Sequence, residues 1–63
     1  MTTQFIPGQL YHPTGEDEFL ILVLRVVSPE DDSGTTVLDV ICCSDAHFEW
    51  GVSLTNLLWV EVV

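Results

Sequence analysis

The chain has no lysine and one arginine, Arg25, against ten carboxylates, which leaves a formal charge of −9 over 63 residues. So few cations exclude one broad class of partner. Nucleic-acid binders hold phosphate through clustered Lys and Arg, and anionic membrane surfaces attract the same groups, so neither direct nucleic-acid binding nor membrane binding is expected. The acids themselves are not dense: charged residues make up 17% of the chain, below the usual level of about 25%. The imbalance is a shortage of bases, and part of its use is solubility, since a net charge far from zero keeps a small apolar-rich chain from associating nonspecifically.

Cysteine is almost absent as well. Cys42 and Cys43 are sequence neighbours, and neighbours on a strand point to opposite faces, so an ordinary disulfide between them is not expected and a reduced, cytoplasmic setting is. The longest apolar run, residues 19–24, is too short to cross a bilayer. The start, Met1 to Gln4, has neither a basic region nor an apolar run, so no signal peptide is expected. With no linker, internal repeat or low-complexity tract, residues 1–63 read as one small domain. Such a domain buries only about 60% of its unfolded surface. A second chain would help stabilise it.

What is present is strand chemistry. Each apolar segment is rich in Val, Ile, Leu, Thr and aromatics and is bounded by Pro, Gly, Ser or Asp, which predicts an all-β chain. Strands are expected at 9–12, 18–27, 36–43, 48–52 and 58–62, with connections at 13–17, 28–35, 44–47 and 53–57. In the last connection, Ser53 is placed to cap one 3₁₀ turn. Five short strands bury their apolar sides best as a strongly bent, partly closed barrel.

A short first strand holding Leu10-Tyr11, an irregular loop, a long second strand, a polar loop, two hairpin strands, a 3₁₀ turn and a closing strand together resemble the layout of the SH3-like small barrel. With the Pro7-Gly8 start, the layout is also similar to that of small barrel proteins of phage and bacterial accessory genes. The resemblance implies a five-stranded barrel. Tyr11 matches one aromatic of an SH3 peptide groove, but His12-Pro13 follows it and Trp50 has no adjacent Trp, so proline-peptide recognition is not implied.

Charged residues suggest which side of each strand faces out, because burying an isolated ion is costly. With strict alternation, Arg25 sends Phe19, Ile21, Val23 and Val27 outward and leaves Leu20, Leu22, Leu24 and Val26 for the core. Asp39 sends Val37, Ile41 and Cys43 outward and Leu38, Val40 and Cys42 inward. Glu49 assigns Phe48, Trp50 and Val52 to the core, and Glu61 assigns it Leu58, Val60 and Val62, leaving Trp59 outside; Leu10 completes the set. A hairpin of the second and third strands is expected to set Arg25 opposite Asp39, a cross-strand pair worth roughly 0.2–1 kcal/mol. That register places Val23 opposite Ile41 and Ile21 opposite Cys43. Phe19, Ile21, Val23, Ile41, Cys43 and Trp59 then form an outer apolar strip, a candidate interface for self-association or a partner protein, unless a strongly bent second strand buries both its sides.

Two acidic runs, Glu16-Asp17-Glu18 and Glu30-Asp31-Asp32, flank the long second strand. In an SH3-like layout their loops share one side of the barrel, where six acids could form a groove for a basic partner protein; as isolated runs they are solvated turns. No metal or cofactor is expected. Cys43, Asp45 and His47 recur at every second position, but zinc needs three or four converging ligands, and residues 44–47 read as a turn. Neither acidic run has the spacing of a calcium loop. No phosphate-cradling glycine loop is present, no nucleophile has an oxyanion hole beside it, and a barrel this small has little room for a concave site. The chain therefore reads as a non-enzymatic, homo-oligomeric interaction module. A phosphate-mimicking inhibitor of a nucleic-acid-binding protein is the second reading, and a metal- or redox-responsive module is a third.

Overall fold

A computed structural model describes residues 3–62, which form five antiparallel strands and one turn of 3₁₀-helix. The strands are β1 (Leu10–Pro13), β2 (Ile21–Ser28), β3 (Thr35–Cys42), β4 (His47–Thr55) and β5 (Trp59–Glu61), and the 3₁₀ turn (Asn56–Leu58) joins the last two. They make one sheet in the order β4-β3-β2-β1-β5. The sheet is not closed, since no ladder joins β4 to β5 among the described residues.

Strand ends follow local hydrogen bonding. β2 starts at Ile21, three residues later than alternation predicts, because residues 16–19 turn on themselves through a bond from the Phe19 N–H to the Glu16 carbonyl (3.3 Å). After β2, Asp31 builds the next loop: its Oδ1 accepts from the Ser33 N–H (2.9 Å), the Ser33 hydroxyl (2.6 Å) and the Thr35 N–H (3.1 Å). A carboxylate that bonds its own downstream backbone is the usual way for Asp to nucleate a turn. β4 runs on to Thr55, so Ser53 pairs with Val37 inside the strand instead of capping the 3₁₀ turn. Thr55 occupies the cap position and makes no side-chain bond there.

The buried core is Phe5, Tyr11, Ile21, Val23, Leu38 and Val40, with Val26, Cys42, Val52, Leu54 and Trp59 packed against it. These residues lie on one side of the sheet, the inner face. The N-terminal segment lies across that face. Phe5 meets Tyr11 edge-on, with ring centroids 4.9 Å apart. The Tyr11 hydroxyl accepts from the Ile6 N–H (2.7 Å) and donates to the Gln4 carbonyl (3.1 Å). Asn56 fastens the same segment from the other end of the chain: its Nδ2 donates to the Thr3 carbonyl (2.7 Å), its Oδ1 accepts from the Thr36 hydroxyl (2.6 Å) and its N–H reaches the Gly34 carbonyl (2.9 Å). A buried amide is tolerated because its groups are partnered.

Most of the expected core lies outside the observed one. Leu10, Leu22, Leu24 and Leu20 are only half-buried, and Phe48, Trp50, Leu58 and Val60 are exposed. Two β-bulges account for most of this. The β2–β3 ladder pairs Val23 with Val40 and Arg25 with Asp39, so Leu24 is an extra residue in β2. The β3–β4 ladder pairs Leu38 with Val52 and Val40 with Glu49, so Trp50 and Gly51 together oppose Asp39. One inserted residue inverts every side chain on the far side of it. Ile21 and Val23 therefore turn inward, opposite Cys42 and Val40 and not opposite Cys43 and Ile41. Beyond the other bulge, Phe48 and Trp50 turn outward while Val52 stays inward. In β5, Trp59 packs on the core and Glu61 shares the inner face with Tyr11. At an edge strand a carboxylate reaches water from either face, so Glu61 does not set the alternation.

Candidate functional site

The outer face carries an apolar row running across the whole sheet. Phe48 pairs with Ile41, Ile41 with Leu22 and Leu22 with Leu10. The β1–β5 register continues the row to Val62, whose N–H donates to the Leu10 carbonyl (2.9 Å). Antiparallel partners project to the same face, so these five side chains stand side by side. Phe48 and Trp50, two apart on β4, stack with centroids 5.6 Å apart and planes within 11°. They stay 50% and 66% exposed.

The face also contains a neutralised charge pair. Asp39 is 4% exposed, yet it projects away from the core. Its Oδ2 accepts from Arg25 Nε (3.1 Å) and Nη2 (3.0 Å), and its Oδ1 accepts the Gly51 N–H (2.9 Å). The carboxylate therefore serves both bulged strands at once. Gly51 has φ +65°, a conformation that costs any other residue about 1–2 kcal/mol, so glycine suits the bulge.

The structure divides the residues expected to form the outer strip. Ile41 and Cys43 lie on the outer face, the latter exposed, with its N–H donating to the Leu20 carbonyl (2.9 Å). Phe19 is exposed in the loop before β2, tilted against Trp59 at 6.4 Å. Ile21 and Val23 are core residues and Trp59 packs on the core, so these three do not line an exposed strip. Leu10, Leu22, Phe48 and Trp50 line the outer face instead, with Ile41.

The acidic runs do not meet in one groove. Glu16-Asp17-Glu18 precedes the first residue of β2 and Glu30-Asp31-Asp32 follows its last, so an eight-residue strand roughly 23 Å long separates them. One shallow hollow is formed by residues 15–19. Glu30 edges a different one of about 490 Å³, lined also by Phe5, Val26, Thr36 and Asn56. Thr36 and Asn56 are bonded to each other there, and among the described residues no buried side-chain N or O lacks a partner.

Cys43, Asp45 and His47 do not converge either. Asp45 Oδ1 accepts the His47 N–H (3.1 Å) within the β3–β4 turn, and His47 Nε2 lies 3.1 Å from Glu49 Oε1. No group of three potential metal ligands occurs among the described residues. Both cysteines are free thiols. Burial, with the nearby Asp45 and Glu49 carboxylates, raises the pKa of Cys42 above the ordinary 9.0 and keeps it a protonated, weakly reactive thiol. Burial likewise raises the Tyr11 phenol above 10.0, with Glu61 adding to the effect and the Ile6 N–H opposing it. No helix among the described residues is long and apolar enough to cross a membrane.

Phe5 and Asn56 escape the sequence reading because neither belongs to an alternating strand; Asn56 has at most the signal of a polar residue at the expected 3₁₀ turn. Compared with known protein families, curated proteins and solved structures, the chain matches none.

Proposed function

We propose that this chain is a non-enzymatic protein-interaction module that docks through the outer face of its sheet and displays acidic loops at both ends of β2. The observation carrying this reading is the apolar row Leu10, Leu22, Ile41, Phe48 and Val62 with the exposed Phe48–Trp50 stack beside it. A contiguous apolar surface rimmed by polar groups is characteristic of a contact site, and exposed aromatics are the residues most enriched at the centre of protein interfaces. The succession of antiparallel hairpins, with β5 returning to β1 after a 3₁₀ turn, supports an SH3-like layout for the module. A reduced, cytoplasmic setting accords with the two free thiols.

The test is capture from the native host with wild type and Trp50→Glu at low and high salt. Apolar docking survives salt, whereas binding by the acidic loops is screened away. Salt-resistant capture that Trp50→Glu abolishes supports the sheet face as the site. Capture that persists in Trp50→Glu and disappears at high salt points instead to the acidic loops and to the phosphate-mimic reading.

A further inference from the structure

Resting on that reading, the distribution of charge points to the occupant of the outer face: we infer that it is a second copy of this chain, packed sheet to sheet. Of the ten acids, six lie in the two loops flanking β2 and Asp45 lies in the β3–β4 turn. Glu49 and Glu61 pair with Val40 and with Tyr11, which puts both on the inner face. Asp39 alone projects outward, and Arg25, the chain's only Lys or Arg, neutralises it at 3.0 Å. In a molecule of charge −9, the outer strand positions thus hold no uncompensated carboxylate. A basic partner finds no counter-charge on this face. Two copies can meet there without burying like charges, which is the condition a self-complementary interface must satisfy.

Size agrees with this assignment. Five strands about 4.8 Å apart and averaging roughly 20 Å in length present a face of roughly 400 Å², and the molecule measures 31 × 24 × 15 Å across its Cα atoms. Two such faces, packed about 10 Å apart as in a β-sandwich, bury on the order of 1,000 Å² in total, at the lower end for specific association. The half-buried Leu22 and Ile41 then become core, and the Phe48–Trp50 stack loses its solvent contact.

Sedimentation equilibrium from about 5 to 500 µM, at 20 and 300 mM NaCl, tests this. The expected result is a dimer that forms in the micromolar range and tightens roughly three- to tenfold at the higher salt, because screening relieves repulsion between two chains of the same sign. Trp50→Glu and Phe48→Lys should both be monomeric with the wild-type far-UV spectrum. Phe48→Lys lowers the net negative charge, so its failure to dimerise cannot be attributed to added repulsion. Glu30→Gln/Asp32→Asn, off the face, should dimerise more tightly. A wild-type monomer at 500 µM in 300 mM NaCl, a dimer weakened by salt, or a dimer unaffected by Trp50→Glu would overturn the inference. So would new hydrogen-exchange protection confined to β4, which would place the contact at the sheet edge. If the wild type is monomeric but Trp50→Glu still abolishes salt-resistant capture from the host, the second copy is refuted and docking by this face stands. If capture is also independent of the face, both readings fail.

Discussion

Asp39→Ala is the substitution whose cost the structure specifies most fully. It removes the acceptor of the Gly51 N–H at 2.9 Å, a bond to a charged group worth about 1.5–3 kcal/mol where water is excluded. It also removes the ion pair to Arg25, whose side chain is 71% exposed, which limits that contribution to about 1 kcal/mol or less. The sum is about 2–4 kcal/mol, against a total stability of about 3–9 kcal/mol for a chain of this size. Asp39→Asn keeps an oxygen for Gly51 and loses the charge, so it should cost about 1–2 kcal/mol; Arg25→Ala, which deletes only the exposed partner, should cost about 1 kcal/mol. At about 4–8 °C per kcal/mol, thermal unfolding at fixed protein concentration resolves the three variants. The expected order of destabilisation is Asp39→Ala, then Asp39→Asn, then Arg25→Ala. If Arg25→Ala is as damaging as Asp39→Ala, the carboxylate serves the cation and not the bulge, and the reasoning is refuted.

Two further predictions concern the connections. Asn56→Ala leaves the Thr36 hydroxyl and the Thr3 carbonyl without their partner and should cost about 2–3 kcal/mol; in hydrogen exchange the Ile6 amide should lose protection before the strands do, and an Ile6 amide as protected as in wild type would contradict the role given to Asn56. Asp31 has its pKa lowered below 3.8, first by the Ser33 hydroxyl and then by the Thr35 N–H. A depressed carboxyl pKa stabilises the fold fully above the unfolded value and loses that effect as pH falls through the folded value. Loop 29–34 should therefore stay ordered at pH 5 and loosen below about pH 4, visible as Ser33 and Thr35 amide shifts in an NMR titration that Asp31→Asn abolishes; a titration of Asp31 at or above 3.8 would refute it.

The strands and their antiparallel arrangement were legible because β-branched runs bounded by Pro, Gly, Ser and Asp leave little else to form. Opposite charges marked the Arg25–Asp39 pair for the same local reason. The faces were not legible throughout. In β3, which takes no extra residue, the alternation set by Asp39 puts Leu38, Val40 and Cys42 on the inner side, as the structure has them. In β2 and β4, Leu24 and the Trp50-Gly51 pair insert residues at the level of Asp39, so an assignment made from Arg25 or Glu49 holds on only part of the strand. Gly51 was the available hint of the second bulge. Nothing in Leu24 announces the first. The outer apolar strip expected from strict alternation consequently has the two sides of β2 exchanged, and the two acidic runs stand at opposite ends of that strand.

The strap across the inner face has a consequence for how the chain matures during synthesis. Thr3 is fastened by Asn56, 53 positions away, and by the Trp59 carbonyl, 56 positions away, while Leu10 waits for Val62. Thr3 and Leu10 are thus anchored by residues synthesised long after them. No prefix of the chain that stops before Asn56 can seat Phe5 over Tyr11 with its ties in place. Closing contacts of such sequence separation is entropically slow. Phe5 and Tyr11 therefore stay unseated until Asn56 has been made, and the sheet and its strap close together instead of keeping pace with elongation.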